Sequence, residues 1–114
     1  MSDGYFFIPR GKMSAQERRL RSELARLVSQ YGVLHGTLIR RRRKCGRPGC
    51  RCAKGEGHEG IYLIVTERGK PRQLYVPEEW APTVERWIGA YQRGRDLLDE
   101  ISGLHWDKVR NRKE

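Results

Sequence analysis

No run of apolar residues in this sequence approaches the ~20 needed to cross a bilayer. The longest, Ile61 to Val65, has the length of a strand. The opening residues (Ser2, Asp3 and Gly4, then Tyr5, Phe6, Phe7, Ile8 and Pro9) carry no basic leader and are too few for a secretion signal. A cytoplasmic protein with no membrane partner is therefore expected. Cysteine is scarce and odd in number, three in 114 residues, which argues against a disulfide framework in a reducing compartment. Acids are the minority charge, 14 against 24 lysines and arginines. Internal repeats and low-complexity linkers are lacking, and the length fits a single domain, 1–114. With 37% hydrophobic residues the core must be small, and small cores often need a staple or a partner.

What the sequence does have is positive charge. The formal net charge is +10 and the pI near 10.1, the electrostatic footprint of a nucleic-acid binder. Between Arg40 and Lys54 stand eight basic residues (Arg40, Arg41, Arg42, Arg43, Lys44, Arg47, Arg51 and Lys54) and no acid. Most are arginines, whose planar fork matches phosphate bidentately and stacks on bases. Arg18, Arg19, Arg21 and Arg26, with Arg68, Lys70 and Arg72, are available to extend the patch. The bland alternative is a solvated face. A membrane-surface patch more typically lies on an amphipathic helix with Trp or Phe opposite the basic residues.

Patterning gives the frame that carries this charge. An arm, 1–12, comes first. Ser14-Ala15-Gln16-Glu17 matches a capping box, in which Ser14 accepts from the N–H three residues on and Glu17 reaches back. Leu20, Leu24, Leu27, Val28 and Tyr31 follow at helical spacing up to Gly32 as a stop, so a helix is predicted over 14–31. Gly36 to Lys44 reads as an extended segment whose basic residues alternate between faces. Ile61 to Thr66 is the clearest strand. After the turn Glu67-Arg68-Gly69-Lys70-Pro71, Arg72 to Val76 makes the second arm of a hairpin. Apolar residues on both faces of the Ile61 strand place it centrally in a sheet spanning 36–76. Pro77-Glu78-Glu79 opens a helix interrupted early by Pro82. The stripe Val84, Trp87, Ile88, Tyr91, Leu98, Ile101 then carries it over 78–105, before a polar tail, 108–114. The expected fold class is α+β: an N-terminal helix, a three-stranded antiparallel sheet with a long Cys/His loop after its first strand, and a long C-terminal helix.

That loop, 45–58, holds all three cysteines. Cys45, Cys50, Cys52 and His58 stand in the spacing C-x4-C-x-C-x5-H, with Gly46, Pro48, Gly49, Gly55 and Gly57 between them. Zinc takes thiolate and imidazole ligands in a tetrahedron, and three Cys with one His is a common structural set. Three thiolates around one zinc leave a net negative charge, which Arg47, Arg51 and Lys54 would offset. The spacing differs from paired C-x2-C knuckles, so the alternative is a glycine-rich connector with free thiols. A catalytic cysteine is a third reading. No base or orienting group is identifiable beside it, and four ligands would leave no open position on the metal. No enzyme is therefore expected.

From Cys45 to His58, then at Tyr62, Gly69-Lys70, Tyr75-Val76-Pro77-Glu78, Trp87-Ile88 and Tyr91, the chain resembles a family of small bacterial and archaeal proteins catalogued only as a domain of unknown function. Its members are often encoded beside transposases. The family usually has Gly-Pro-Tyr after the histidine, where this chain has Glu59-Gly60-Ile61, and all four ligand positions are kept. The resemblance implies a metal-binding fold and a mobile-element setting, with no established activity.

The expected function is thus a non-enzymatic, zinc-stapled nucleic-acid-binding protein, DNA before RNA, accessory or regulatory in a mobile-element context. The alternative is a zinc-dependent protein–protein adaptor for a recombinase. In that reading the C-terminal helix with Trp87 and Tyr91 forms a homodimer or partner face. Tyr62 and Tyr75 are candidates for base stacking, with sheet packing as the alternative. Core or interface packing is expected of Trp80, Trp87 and Trp106, and ordinary surface positions of His35 and His105.

Overall fold

The computed structural model describes residues 7–43 and 57–112. Its elements are a 3-10 turn at Arg10–Lys12, helix α1 (Ala15–Gln30), strands β1 (Thr37–Arg43), β2 (His58–Glu67) and β3 (Lys70–Val76), a second 3-10 turn at Glu78–Trp80, and helix α2 (Ala81–Arg110). The α+β class, the central strand and the order of elements are those the sequence predicts. The chain divides into two compact units, one drawn from residues 1–31 and 92–114, the other from residues 32–91.

The second unit is the sheet with the start of α2. Its strand order is β1-β2-β3, antiparallel throughout. The hairpin is tighter than predicted. Glu67 pairs with Lys70, and the two residues between them both have positive φ, 52° at Arg68 and 77° at Gly69. This two-residue turn matches the right-handed twist of the strands, and glycine enters its second position without strain. Pro71 consequently lies inside β3, where an edge strand can spare its missing N–H.

One sheet face carries the core at the Ile61–Val76 end, while Leu74 on the same face is exposed. Ile61 and Val76 pack with Ala81 and Val84 of α2, and Leu34, Leu38, Leu63 and Ile88 close around them. A Val, Leu or Ile side chain contributes about 1.5–3 kcal/mol on full burial. The Trp87 carbonyl of α2 accepts from the N–H of Leu34, one of the residues around this core, at 3.0 Å. Gly32 is not the left-handed cap that its place after the helix suggests. Tyr31 ends α1 in extended backbone with its N–H on the Leu27 carbonyl, and a Cβ at Gly32 would overlap the Trp87 indole. Close approach of a ring is what requires glycine there.

The first unit pairs α1 with the later turns of α2. The Ser14 hydroxyl accepts from the Glu17 N–H at 3.0 Å, the cap read from the sequence. The carboxylate of Glu17 does something else: it is 1% exposed and takes the Arg21 Nε at 2.8 Å, with His105 Nε2 at 3.4 Å and Lys108 Nζ at 3.8 Å. Burial raises its pKa, but the Arg21 hydrogen bond and the charges around it outweigh that and hold it below the ordinary 4.5. The buried stripe of α2 in this unit is Gly94, Leu97 and Ile101, not Leu98, which is 57% exposed. Gly94 faces Leu27, and a bidentate Arg93–Glu23 pair at 2.7 and 3.0 Å fixes the same turn. Val28 and Tyr31, predicted on the apolar face of α1, are exposed.

Candidate nucleic-acid interface

Strand alternation sorts the arginines of β1. Residues directly opposite on antiparallel strands share a face, and the register sets Arg40 against Ile61, Arg41 against Gly60 and Arg42 against Glu59. Arg40 and Arg42 thus lie at the end of the face whose centre is the core, and acids meet them there. Arg40 reaches Glu59 at 3.3 Å and Glu78 at 3.4 Å, and Arg42 reaches Glu59 at 3.6 Å. Its hydrogen bond to the Glu78 carboxylate, then that to Glu59, raises the Arg40 pKa.

Arg41 stands on the opposite face among neutral partners. Its Nη1 donates to the Gln73 side-chain oxygen at 3.2 Å, and its guanidinium carbon lies 5.7 Å from the centre of the Tyr62 ring. Tyr62 in turn meets Tyr75 edge to face, centroids 6.0 Å apart and planes 68° apart. Tyr62 leans over Gly60, where a Cβ would come within 3.0–3.2 Å of its ring. Ile39, Ile64 and Thr37 complete this face, and none of its residues whose side chains are described is buried. Among the described residues no acid meets Arg41 on this face, whereas Arg40 and Arg42 are paired with Glu59 and Glu78.

Of the predicted contact residues, Lys44, Arg47, Arg51 and Lys54 lie outside the described residues, as do the predicted ligands Cys45, Cys50 and Cys52. His58, the fourth predicted ligand, is the first residue of β2 and the register partner of Arg43, the last residue of β1. The chain thus leaves the sheet beside Arg43 and re-enters it at His58, with Gly57 at φ 92° just before. Among the described residues, no group of three or more His, Cys, Asp or Glu is placed to hold a metal ion. No helix among them is long and apolar enough to cross a membrane.

The further basic residues divide between the two units. Arg10, Arg18, Arg19 and Arg26 line a hollow along α1 with Ala15, Ser22 and Glu23, while Arg72 pairs with Glu67 at 2.8 Å on the hairpin. His35 stacks on Tyr91, centroids 4.6 Å apart, and Trp80 tilts against Trp87 at 6.2 Å. Gln73 was not among the residues predicted to matter. Its spacing from Tyr75 is the only sequence signal that sets it on the tyrosine face, and its approach to Arg41 depends on the register of three strands.

The family model described as Domain of unknown function (DUF6788) matches residues 12–86. The chain belongs to that family. The matched span of this DUF6788 member takes in α1 and all three strands and ends in the second turn of α2, short of Trp87. No curated protein and no solved structure matches the chain significantly.

Proposed function

We propose that this DUF6788 member is a non-enzymatic nucleic-acid-binding protein that grips its target through the tyrosine face of the sheet and the basic Cys/His segment that follows β1 in the sequence. The observation that carries the reading is Arg41, a guanidinium held on the less buried sheet face by a neutral amide and a ring, with no acid on it among the described residues. Arg43, Lys44, Arg47, Arg51 and Lys54 follow it along the chain without an intervening acid. Such a set neutralises phosphates, and release of their counterions makes affinity fall steeply with salt. DNA is the preferred target because the family resemblance implies a mobile-element setting, in which the protein would act as an accessory or regulator.

Cys45, Cys50, Cys52 and His58 are the residues that would hold zinc. The placement of His58 beside the end of β1 supports this, since both ends of the cysteine segment are held at one place. Bound zinc would supply a fixed tetrahedral staple and no reaction.

The test is a salt titration of DNA binding by the wild type and by the Arg41→Ala, Arg43→Ala double variant. Loss of two phosphate contacts weakens binding on all sequences alike and shallows the log–log salt slope by about 1–2. An unchanged slope would refute the role. A second reading, an adaptor for a protein partner, is favoured by Leu98, Trp106 and Val109, an exposed apolar stripe on α2. A pull-down that survives nuclease treatment would select it.

A further inference from the structure

Resting on that reading, we infer that the tyrosine face accepts unpaired bases, so that the ligand is single-stranded DNA and not duplex. Each strand contributes one flat group to this face: the Arg41 guanidinium from β1 lies over the Tyr62 ring of β2, and the Tyr75 ring of β3 stands beside them as the open stacking surface. Tyr75 is 60% exposed although it is a large aromatic residue in regular structure. Its edge-to-face arrangement with Tyr62 does not stack the two rings on each other.

A duplex cannot use the ring faces. Its bases follow one another at ~3.4 Å and hide their faces in the stack, leaving only edges and phosphates outside. An unpaired strand offers base faces, and aromatic rings together with arginine planes are the surfaces on which they stack. The Gln73 amide, already oriented by Arg41, carries both a donor and an acceptor and reaches a base edge without selecting one base. Binding of this kind tolerates sequence and prefers flexible pyrimidine runs.

If Tyr62 and Tyr75 served only the sheet as a cross-strand pair, truncating Tyr75 would leave binding alone. The experiment is fluorescence anisotropy with a labelled oligo-dT and a matched duplex, using the full chain as wild type, Tyr75→Ala and Tyr75→Phe. The expected result has three parts: wild type prefers oligo-dT, Tyr75→Ala weakens oligo-dT binding about tenfold with its salt slope kept, and Tyr75→Phe restores it. Equal binding of strand and duplex, insensitive to Tyr75 but weakened by the Arg41 and Arg43 substitutions, would overturn the stacking site and leave the nucleic-acid reading standing. Binding of neither ligand would sink both. If Tyr75→Ala melts early, photo-crosslinking of 5-iodouracil oligonucleotide to the wild type decides. An adduct at Tyr75 or Tyr62 supports the inference, and adducts only elsewhere overturn it.

Discussion

Gly32 and Trp87 show how far a single side chain constrains this small protein. The indole occupies the place where any other residue at position 32 would put its Cβ, and its own carbonyl anchors Leu34. Gly32→Ala therefore forces the ring or the segment after α1 to move. Overpacking of this kind costs about 1–3 kcal/mol, to be read as a lower urea midpoint with an unchanged slope. A midpoint equal to that of the wild type would mean that the ring simply swings aside. From the sequence this glycine reads as a helix stop, because position after an apolar stripe is visible in a linear chain and contact with a residue far along it is not.

At the scale of elements, α1 and α2 in the first unit are joined by charge as well as by Leu97 and Ile101. The Glu17 carboxylate has a folded pKa below 4.5, so the unfolded chain binds its proton more readily than the folded one. Its stabilisation is then fully present above pH 4.5 and is lost as the pH falls through the lower folded value. Glu23, lowered by its hydrogen bond from Arg93, acts in the same sense. Thermal melts should thus show stability dropping as pH falls below about 4.5. Glu17→Gln should be less stable at neutral pH by about 1–2 kcal/mol and flatter across that acid window. Parallel acid limbs in the two proteins would rule this out. The ends of α1 and the central place of β2 were legible because Ser14 and the two-faced apolar run of Ile61 to Val65 are local signals. Glu17 was misread as the second half of a capping box, since His105 and Lys108 reach it only once the helices have packed. The start of β2 at His58 was missed for a similar reason: Glu59 and Gly60 have no strand propensity and are held by pairing with Arg42 and Arg41.

For the whole molecule, the decisive question is the metal. Native mass spectrometry should find one zinc per chain, and Cys50→Ser should lose it. Chelation should lower the melting temperature, as removal of any ligand specific to the folded state does; a site at a hundred times its dissociation constant contributes ~2.7 kcal/mol. A metal-free chain with the same melting temperature in chelator would remove the staple while leaving the sheet and its tyrosine face as described. The candidate site was half legible. The density of arginines, the alternation along β1 and the two tyrosines are all in the sequence. Which arginines are neutralised, and that Gln73 meets Arg41, depend on Glu59, Glu78 and a three-strand register that no local pattern reports.

The sheet has three strands in the order β1-β2-β3, so two of the three are edges. Unpaired strand edges invite strands of neighbouring molecules, and like charge along them, or a proline within them, keeps such strands away. β1 carries four consecutive arginines and β3 begins Lys70-Pro71-Arg72. The residues that would draw in a polyanion thus also guard the fold against fibrous self-assembly, and any variant stripped of them for binding studies trades affinity for a tendency to aggregate.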